Sequence, residues 1–478
     1  MLEHLHRIPD SLPRSLAAVL PGPLRVFRII LALSGMQVVT MGVGLVRSKV
    51  IALLIAPQGV GVVSVVDQLV QLVVQLSTFG LSTAPVKFLS RALHQGSDQV
   101  GRTYQALYKA LLASSLAGAV VGFLVVALRG NVLGRELADY RGVMLIALLT
   151  VPAVAVSGLL VNVLASIRGH RDAAFYALAV SFASAAAAYA GIRLAGIAGL
   201  YYGNLMVGLA AAAGATAYLW RTLRLAPHTP GFRLKEELKR QPDMVSFSAA
   251  FYVLSFTHPL SFLVARYAIL KNVGLVEAGL FQAAFAISSI VSTVLLQAVR
   301  LHLWPVANRS VPVVEKFTSA NSFQQGSALL ALLAALPVVL FPKELTFLLF
   351  SPAFAPIAAY LFMFVISDYL FLMATAYQSV IVGVDDLRGY LWASVLSHLC
   401  LAALPWILVP HYGVWGAAWS MVGSRLALLG LTLSGLALKH GFRLPGGLAG
   451  LMAYAVIALG AAGLLFRDGG SLSSPGIA

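Results

Sequence analysis

The segment Gly44–Gly61, GLVRSKVIALLIAPQGVG, decides the fold of this chain. It is an apolar helical run that carries two cations, Arg47 and Lys49, and a Pro/Gly turn and a second apolar run follow it. Both apolar runs are long enough to cross a bilayer, for which an α-helix needs about 20 residues. An ionisable side chain inside a membrane costs about 2.5–3.5 kcal/mol on insertion scales, so it normally faces a bundle interior or a wet cavity. The segment therefore predicts a polar cavity inside a membrane protein.

The composition excludes a soluble globular protein. Of 478 residues, 59% are hydrophobic and only 10% are charged, whereas soluble domains carry about 25% charged residues. In a membrane protein, the net charge of +16 primarily reflects the orientation of the loops and their contact with anionic lipid headgroups, and it does not primarily indicate nucleic-acid binding. The single cysteine, Cys400, excludes an internal disulfide, and the sequence contains no CxxC, HExxH or P-loop pattern. We expect an all-α polytopic membrane protein without a metal, a cofactor or a catalytic residue.

Apolar runs of membrane-spanning length recur along the chain, and a charged segment divides them into two sets. The runs lie near 27–54, 60–80, 105–128, 142–166, 173–192 and 196–220, and then near 244–269, 276–302, 326–350, 355–382, 388–409 and 413–438. A further run, 446–466, either spans the membrane or lies at its interface. The pattern predicts about 12–13 spans in two six-helix bundles.

The charged segments give the predicted domains and their orientation. Lys and Arg are concentrated in the segments that lie inside if the N-terminus is cytoplasmic, as the positive-inside rule requires. Residues 1–25 are basic and broken by proline, without a small-residue cleavage site, and indicate a tail and not a signal peptide. The predicted domains are a cytoplasmic tail 1–25, a first bundle 26–221, a cytoplasmic basic linker 222–243, a second bundle 244–438, and an extra hydrophobic segment with a tail 439–478.

The two halves resemble each other. Gly61 follows Arg47 by 14 residues, and Gly279 follows Arg266 by 13. Weak internal symmetry is typical of transporters, in which cargo binds at the interface between the repeats. Because both halves begin and end on one side, the repeat is predicted to be parallel, about an axis along the membrane normal. The other matched segments are GIAGLYYG at 196–203 and GVWGAAWS at 413–420.

Six cations are candidates for lining the cavity. Each has an ordinary alternative: Arg47 and Lys49 can snorkel to the outer headgroups, and Lys87 and Arg168 can serve loop orientation. Arg300 falls inside the apolar register of its span, which favours the cavity. The candidates are Arg47, Lys49, Lys87, Arg168, Arg266 and Arg300.

Two acids lie inside apolar runs, Asp67 in VVDQLV and Asp368 in VISDYLF. Acids at this depth carry protons, bind ions such as Na⁺, or pair with cations. For each acid, a structural ion pair with a cavity arginine and a role in ion coupling both remain open. Asp67 also forms a polar stripe with Gln68 and Gln71 at helical spacing.

The sequence resembles the Wzx-type polysaccharide flippases of the multidrug/oligosaccharidyl-lipid/polysaccharide (MOP) exporter superfamily. The resemblance runs from residue 26 to about 438, and the order and spacing of the matching segments carry it. These are SKVIALLIAPQGVGV (48–62), FGLSTAPVKFLSRAL (79–93), RGHRDAAFYAL (168–178), EAGLFQAAFAISS (277–289) and SDYLFLMATAYQSVIVG (367–383). A thirteenth span departs from the family, whose members usually have twelve or fourteen.

The resemblance implies two six-helix bundles around a central cationic cavity that opens alternately to the two sides. It implies an undecaprenyl-pyrophosphate-linked oligosaccharide as cargo, such as an O-antigen or exopolysaccharide repeat unit, in the bacterial inner membrane. A polysaccharide polymerase and chain-length machinery would be partners. By position, the family's cavity cations correspond to Lys49, Lys87, Arg168 and Arg266, and Asp368 matches an acid of the family's tenth helix. Arg47 and Arg300 are additions from this sequence.

Three rival functions make different predictions. A multidrug or organic-cation antiporter of the same superfamily predicts acids in the cavity, and the excess of cations in the spans argues against it. A membrane glycosyltransferase or ligase needs a catalytic group in a large outside loop, but the longest outside segment, around Arg129–Arg141, is short. Scattered histidines (His258, His302 and His398) suggest packing and not catalysis. A pure scaffold does not explain charge inside the membrane.

For a flippase, a proton or sodium gradient acting through Asp67 or Asp368, or removal of the cargo, would supply the direction of transport.

Overall fold

The computed structural model describes residues 22–466, except 82–83, 94–95, 130–132, 168, 224–233, 235, 237–241, 300–302 and 308–310. Within some helices, including residues 22–38, only the backbone is described. The predicted tail 1–25 and basic linker 222–243 lie largely outside the described residues, as do the last residues, 467–478.

The described chain is built from α-helices and two short 3₁₀ segments. The first half contains α1 (Gly22–Thr78), α2 (Ala84–Leu93), α3 (Ser97–Leu128), a 3₁₀ segment (Arg135–Tyr140), α4 (Arg141–Leu149), α5 (Val151–Ile167) and α6 (His170–Leu223). The second half contains α7 (Pro242–Val273), α8 (Leu275–Ala298), α9 (Trp304–Ala307), α10 (Val313–Leu340), α11 (Pro342–Leu349), a 3₁₀ segment (Pro352–Ala359), α12 (Leu361–Gly383), α13 (Leu387–His440) and α14 (Gly446–Phe466). Among the described residues, nine helices are long and apolar enough to cross a membrane. The prediction of an all-α polytopic membrane protein is confirmed.

Three of these helices are too long for one crossing, and each one bends. A helix of 54 residues, the length of α6 and of α13, is about 80 Å long, more than twice the hydrocarbon thickness of about 30 Å. The backbone leaves helical geometry at Ala56 in α1, at Ala195 and Gly196 in α6, and at Gly413 in α13. Each bend divides its helix into two arms. These arms agree with the predicted spans, while the division into two bundles of six stays a prediction.

The bends have matching backbone conformations in the two halves. Gly196 has φ 58° and ψ −142°, and Gly413 has φ 57° and ψ −137°. Likewise Ala56 and Gly274, which separates α7 from α8, both have positive φ and a ψ of −179°. A positive φ suits glycine, which lacks a β-carbon. The segments that the sequence matched between the halves thus turn the chain in the same way.

Two of the predicted spans are interrupted by a break in the helix. The run 326–350 belongs to α10, which begins earlier and ends at Leu340, because Pro342 starts the separate short helix α11. The run 142–166 is interrupted at Thr150, between α4 and α5 and just before Pro152. At the C-terminal end, α14 has 21 residues and packs on α10 and α12. Its length suffices to cross the hydrocarbon.

Candidate functional site

A polar cavity of about 240 Å³ lies where α1 faces α7 and α8, between the first and second halves of the chain. Helix α1 supplies one wall from its two arms on either side of the Ala56 bend. Helices α7 and α8 supply the opposite wall. The lining residues are Arg47, Ser48, Ile51, Val60, Val63, Ser64, Asp67, Gln68, Gln71, Arg266, Gln282, Ala286 and Phe350.

Arg266 is the most deeply buried cation of this cavity, with 4% of its surface exposed. One terminal nitrogen, Nη1, donates to Oε1 of Gln68, and the other, Nη2, donates to Oε1 of Gln282. The guanidinium group also lies 5.5 Å from the centre of the Phe262 ring. Within the described part of the chain, its buried Nε has no hydrogen-bond partner. Neutral amides therefore position this cation without cancelling its charge.

Arg47 approaches the cavity from the first arm of α1. Its Nη2 donates to Oδ1 of Asn204 at 3.2 Å, which ties it to the second arm of α6. Its Nε is buried and has no partner among the described residues, as is the case for Arg266. Each of the two guanidinium groups thus retains one buried and unused donor, which an acceptor entering the cavity could satisfy.

Asp67 is the acid of the cavity, on the second arm of α1. Its carboxylate accepts a hydrogen bond of 2.8 Å from the hydroxyl of Tyr201, whose side chain is 1% exposed. It also interacts electrostatically with Arg47 and Arg266. The phenol fixes the carboxylate, and two arginines and one aspartate leave the cavity with a net positive charge.

Gln68 connects the two walls of the cavity. Its Oε1 accepts from Arg266, while its Nε2 donates to the backbone carbonyl of Pro259 at 3.0 Å. Both partners lie on α7, so this side chain fastens α1 to α7. A ligand that takes the Arg266 donor would also disturb this link between the halves.

The other predicted cations are not brought to this cavity by the described side chains. Lys49 donates through Nζ to the backbone carbonyl of Leu348 at 2.7 Å and is absent from the cavity lining. Lys87 lies in α2, but its side chain lies outside the described residues, and Arg168 and Arg300 lie outside them entirely.

Asp368 lies apart from the cavity, in the interior of the second half. It is 7% exposed and lines a small enclosure of about 20 Å³ together with Ser288 and Ser292. Its Oδ2 has no hydrogen-bond partner among the described residues, and it interacts electrostatically with Arg425 of α13. The structure thus separates the two predicted acids into two sites.

Several functional side chains escaped the sequence-based prediction. Gln282 and Asn204 bind the two arginines, and each stands as a single polar residue in an apolar run, in GLFQAAF and YYGNLMV. A single amide residue inside an apolar run was the sequence feature that could have indicated these two cavity residues. Arg425, a cation in the middle of the second arm of α13, is also buried and lies over the Phe371 ring at 4.0 Å.

Solved structures of MOP transporters share this architecture. The lipid II flippase MurJ in an inward closed conformation matches with a TM-score of 0.64 and 11% identity, over 92% of this chain and 99% of that one. An outward-facing multidrug resistance MATE family transporter matches with a TM-score of 0.63 and 13% identity, over 89% of this chain and 96% of that one. The chain therefore has the helical fold of these transporters.

The sequence comparisons then define the family. The family described as polysaccharide biosynthesis protein matches residues 26–310, more than half of the chain, and the chain belongs to this family. It is also similar to the lipid III flippases of Escherichia coli (strain K12) and Shigella flexneri. Each is 23% identical over 407 residues, which cover 82% of this chain and 94% of the relative.

Proposed function

We propose that this protein is a flippase that moves an undecaprenyl-pyrophosphate-linked oligosaccharide across the bacterial inner membrane by alternating access. The names of the relatives support a lipid-linked oligosaccharide as the class of cargo. An O-antigen or exopolysaccharide repeat unit is the finer assignment we propose. The N-terminus lies in the cytoplasm, and the cargo moves from the cytoplasmic to the outer leaflet.

The observation that carries the proposal is the environment of Arg266. A pyrophosphate cannot cross hydrocarbon unaided, because burying a charge without a partner costs many kcal/mol. Arg266 offers the opposite charge at depth, with amide partners in place of a carboxylate. Arg47 offers a second guanidinium group in the same cavity. Guanidinium groups bind phosphate through short, charge-assisted hydrogen bonds, so two of them suit the two phosphates of the carrier.

The size of the cavity determines which part of the cargo it can hold. A site that encloses a drug-sized ligand measures about 300–1,000 Å³, and this cavity measures about 240 Å³. It therefore holds the phosphates but not the sugars, which enter only when the two halves move apart. The prenyl chain stays in the lipid through a gap between the halves. Rocking of one half against the other, which inverted and parallel repeats permit, would expose the site to each side in turn.

The alternative, a multidrug or organic-cation antiporter, shares the fold with the MATE structures. Such a site needs a surplus of acids, and here one aspartate faces two arginines. The net positive charge of the cavity favours an anion. Ion coupling through Asp368, whose Oδ2 is buried and unpaired within the described structure, remains part of the proposal. So do the partner polymerase, the two six-helix domains, and cavity roles for Lys87, Arg168 and Arg300.

Proteoliposomes with fluorescent undecaprenyl-pyrophosphate oligosaccharide test the proposal. Transport is followed by loss of protection from an added quencher, with and without a proton or sodium gradient. Arg266→Ala should reduce transport by tenfold or more, since each charge-assisted hydrogen bond contributes about 1.5–3 kcal/mol. Arg193→Ala is the matched control, because Arg193 is exposed and lies over Tyr189. Wild-type transport by Arg266→Ala would refute the proposed site.

A further inference from the structure

We infer that Asp67 is a resident counter-anion that sets the affinity and the charge selectivity of the cavity by competing with the anion of the cargo. This inference rests on the proposed function, since it concerns the same cavity. It gives Asp67 a role other than a structural ion pair or an ion-coupling group. The hydrogen-bond partners of Asp67 and of the two arginines carry it.

The carboxylate is held by the first half of the chain and not by the arginines. Tyr201 donates to it at 2.8 Å and is itself buried. The hydrogen bonds described for the guanidinium groups go instead to amide oxygens of Asn204, Gln68 and Gln282. Asp67 therefore lowers the positive charge around the arginines without occupying their donors. An entering phosphate meets donors that are available and a fixed negative charge beside them.

A fixed charge of this kind discriminates between anions. A small soluble anion such as inorganic pyrophosphate brings only its charge, which the carboxylate repels. A lipid-linked pyrophosphate brings additional contacts through its sugars and its prenyl chain, which offset the repulsion. Discrimination by an unfavourable charge placed against the wrong ligand is a general route to specificity.

The same repulsion also favours release. If the cavity bound the anion too tightly on the loading side of the membrane, it would also retain the anion on the release side, and transport would slow. Asp67 reduces the affinity in both orientations of the cavity. Its removal is therefore expected to tighten binding and slow turnover together, which loss of a purely structural contact would not do.

The test measures inorganic pyrophosphate binding to the purified full-length protein by calorimetry, beside transport of the lipid-linked oligosaccharide. Asp67→Asn keeps an oxygen that can accept the Tyr201 hydrogen bond but removes the charge. We expect pyrophosphate to bind tighter by about tenfold or more, because loss of a nearby unit charge in a medium of intermediate dielectric removes a repulsion, and we expect transport to saturate at lower cargo concentration with a lower maximal rate. Asp67→Glu keeps the charge and should retain the wild-type affinity.

Unchanged or weaker pyrophosphate binding by folded Asp67→Asn would overturn the inference. Equal changes in the Asn and Glu variants would do the same, because they would indicate a packing role. If Asp67→Asn does not fold, Asp67→Leu combined with Tyr201→Phe removes both partners of the hydrogen bond, and the same tightening is required of it. If pyrophosphate binding tightens but no lipid-linked oligosaccharide moves even in the wild type, the inference stands and the proposed cargo fails.

Discussion

Gly61 of α1 and Gly279 of α8 lie face to face where the two halves of the chain cross. A β-carbon on Gly61 would overlap the carbonyl oxygen of Leu275, and a β-carbon on Gly279 would overlap the carbonyl oxygen of Pro57. The contact is reciprocal, because each glycine meets the residue four positions before the other. We expect this contact to close the cavity at the end next to the Ala56 bend, which the charge distribution predicts to face outside.

A larger residue in place of Gly279 should keep the two halves of the chain apart at this crossing. In Gly279→Val, the added side chain has no space in the closed crossing, and overpacking of this kind costs about 1–3 kcal/mol. We expect the outward-open state to become more populated and transport to fall. Ser64→Cys, a buried cavity residue one turn beyond Gly61, reports the opening when a membrane-impermeant thiol reagent is added to intact cells carrying Cys400→Ser.

The control for this experiment lies on the same helix. Gly42 is exposed and would have open space around a β-carbon, so Gly42→Val should leave labelling of the Ser64→Cys probe low. Equal labelling in both variants would show that the crossing does not close the cavity.

The bend in α13 should require glycine because of its backbone conformation, and not because a larger side chain would lack space. Gly413 has φ 57° and ψ −137°, and the nearest atom to an added β-carbon is 3.9 Å away. Because side chains other than hydrogen disfavour this region, Gly413→Ala should destabilise the protein by about 1–3 kcal/mol. Gly430→Ala, at a helical position of α13 with open space, should be neutral or stabilising by up to about 1 kcal/mol. Thermal unfolding of the two purified variants compares them, and equal midpoints would contradict the strain argument.

The turn between α12 and α13 should weaken in acid. The Asp386 side chain accepts from the Gly389 N–H at 3.0 Å and pairs with Lys439 at 3.0 Å and His440 at 3.5 Å. Burial alone raises the pKa of this carboxyl, but the Gly389 N–H, Lys439 and His440 outweigh burial and hold the pKa below its usual 3.8. A depressed pKa means that the stabilisation is present above pH 3.8 and is lost as the pH falls through the lowered value.

Asp386→Asn should remove this dependence on pH, and Asp386→Ala should also remove the helix N-cap, at about 1 kcal/mol. Unfolding midpoints measured between pH 3 and pH 7 for the wild type and Asp386→Asn check the expectation. Parallel curves for the two proteins would show that Asp386 does not contribute the acid sensitivity.

The sequence predicted the membrane class and the Pro/Gly turn in the first segment, because hydrophobic length and turn residues are local properties, while the role of Arg266 in the cavity stays a prediction. It misaligned the repeat by one residue. Both Ala56 and Gly274 stand five residues before the crossing glycines, and this register pairs Arg266 with Ser48 and not with Arg47. The amides Gln282 and Asn204 could not be assigned, because the contact of each with an arginine depends on how separate helices pack.

Arg47 and Lys49 provide the last prediction, since they are two cations on one helix with different surroundings. Consecutive helical residues are about 100° apart, so side chains two positions apart point to nearly opposite faces. The sequence could therefore have indicated that they do not share a site. Arg47 lines the cavity and binds Asn204, whereas Lys49 binds the Leu348 carbonyl.

Arg47→Ala should weaken pyrophosphate binding by tenfold or more, as loss of a charge-assisted hydrogen bond of about 1.5–3 kcal/mol requires. Lys49→Ala removes the same charge from the same helix and should change the affinity by no more than about twofold, because long-range charge effects are small in water. Calorimetry with inorganic pyrophosphate on both purified variants measures the difference. Equal losses of affinity would mean that the total charge near the first arm of α1 binds the anion, and that the placement of Arg47 beside Asn204 has no special role.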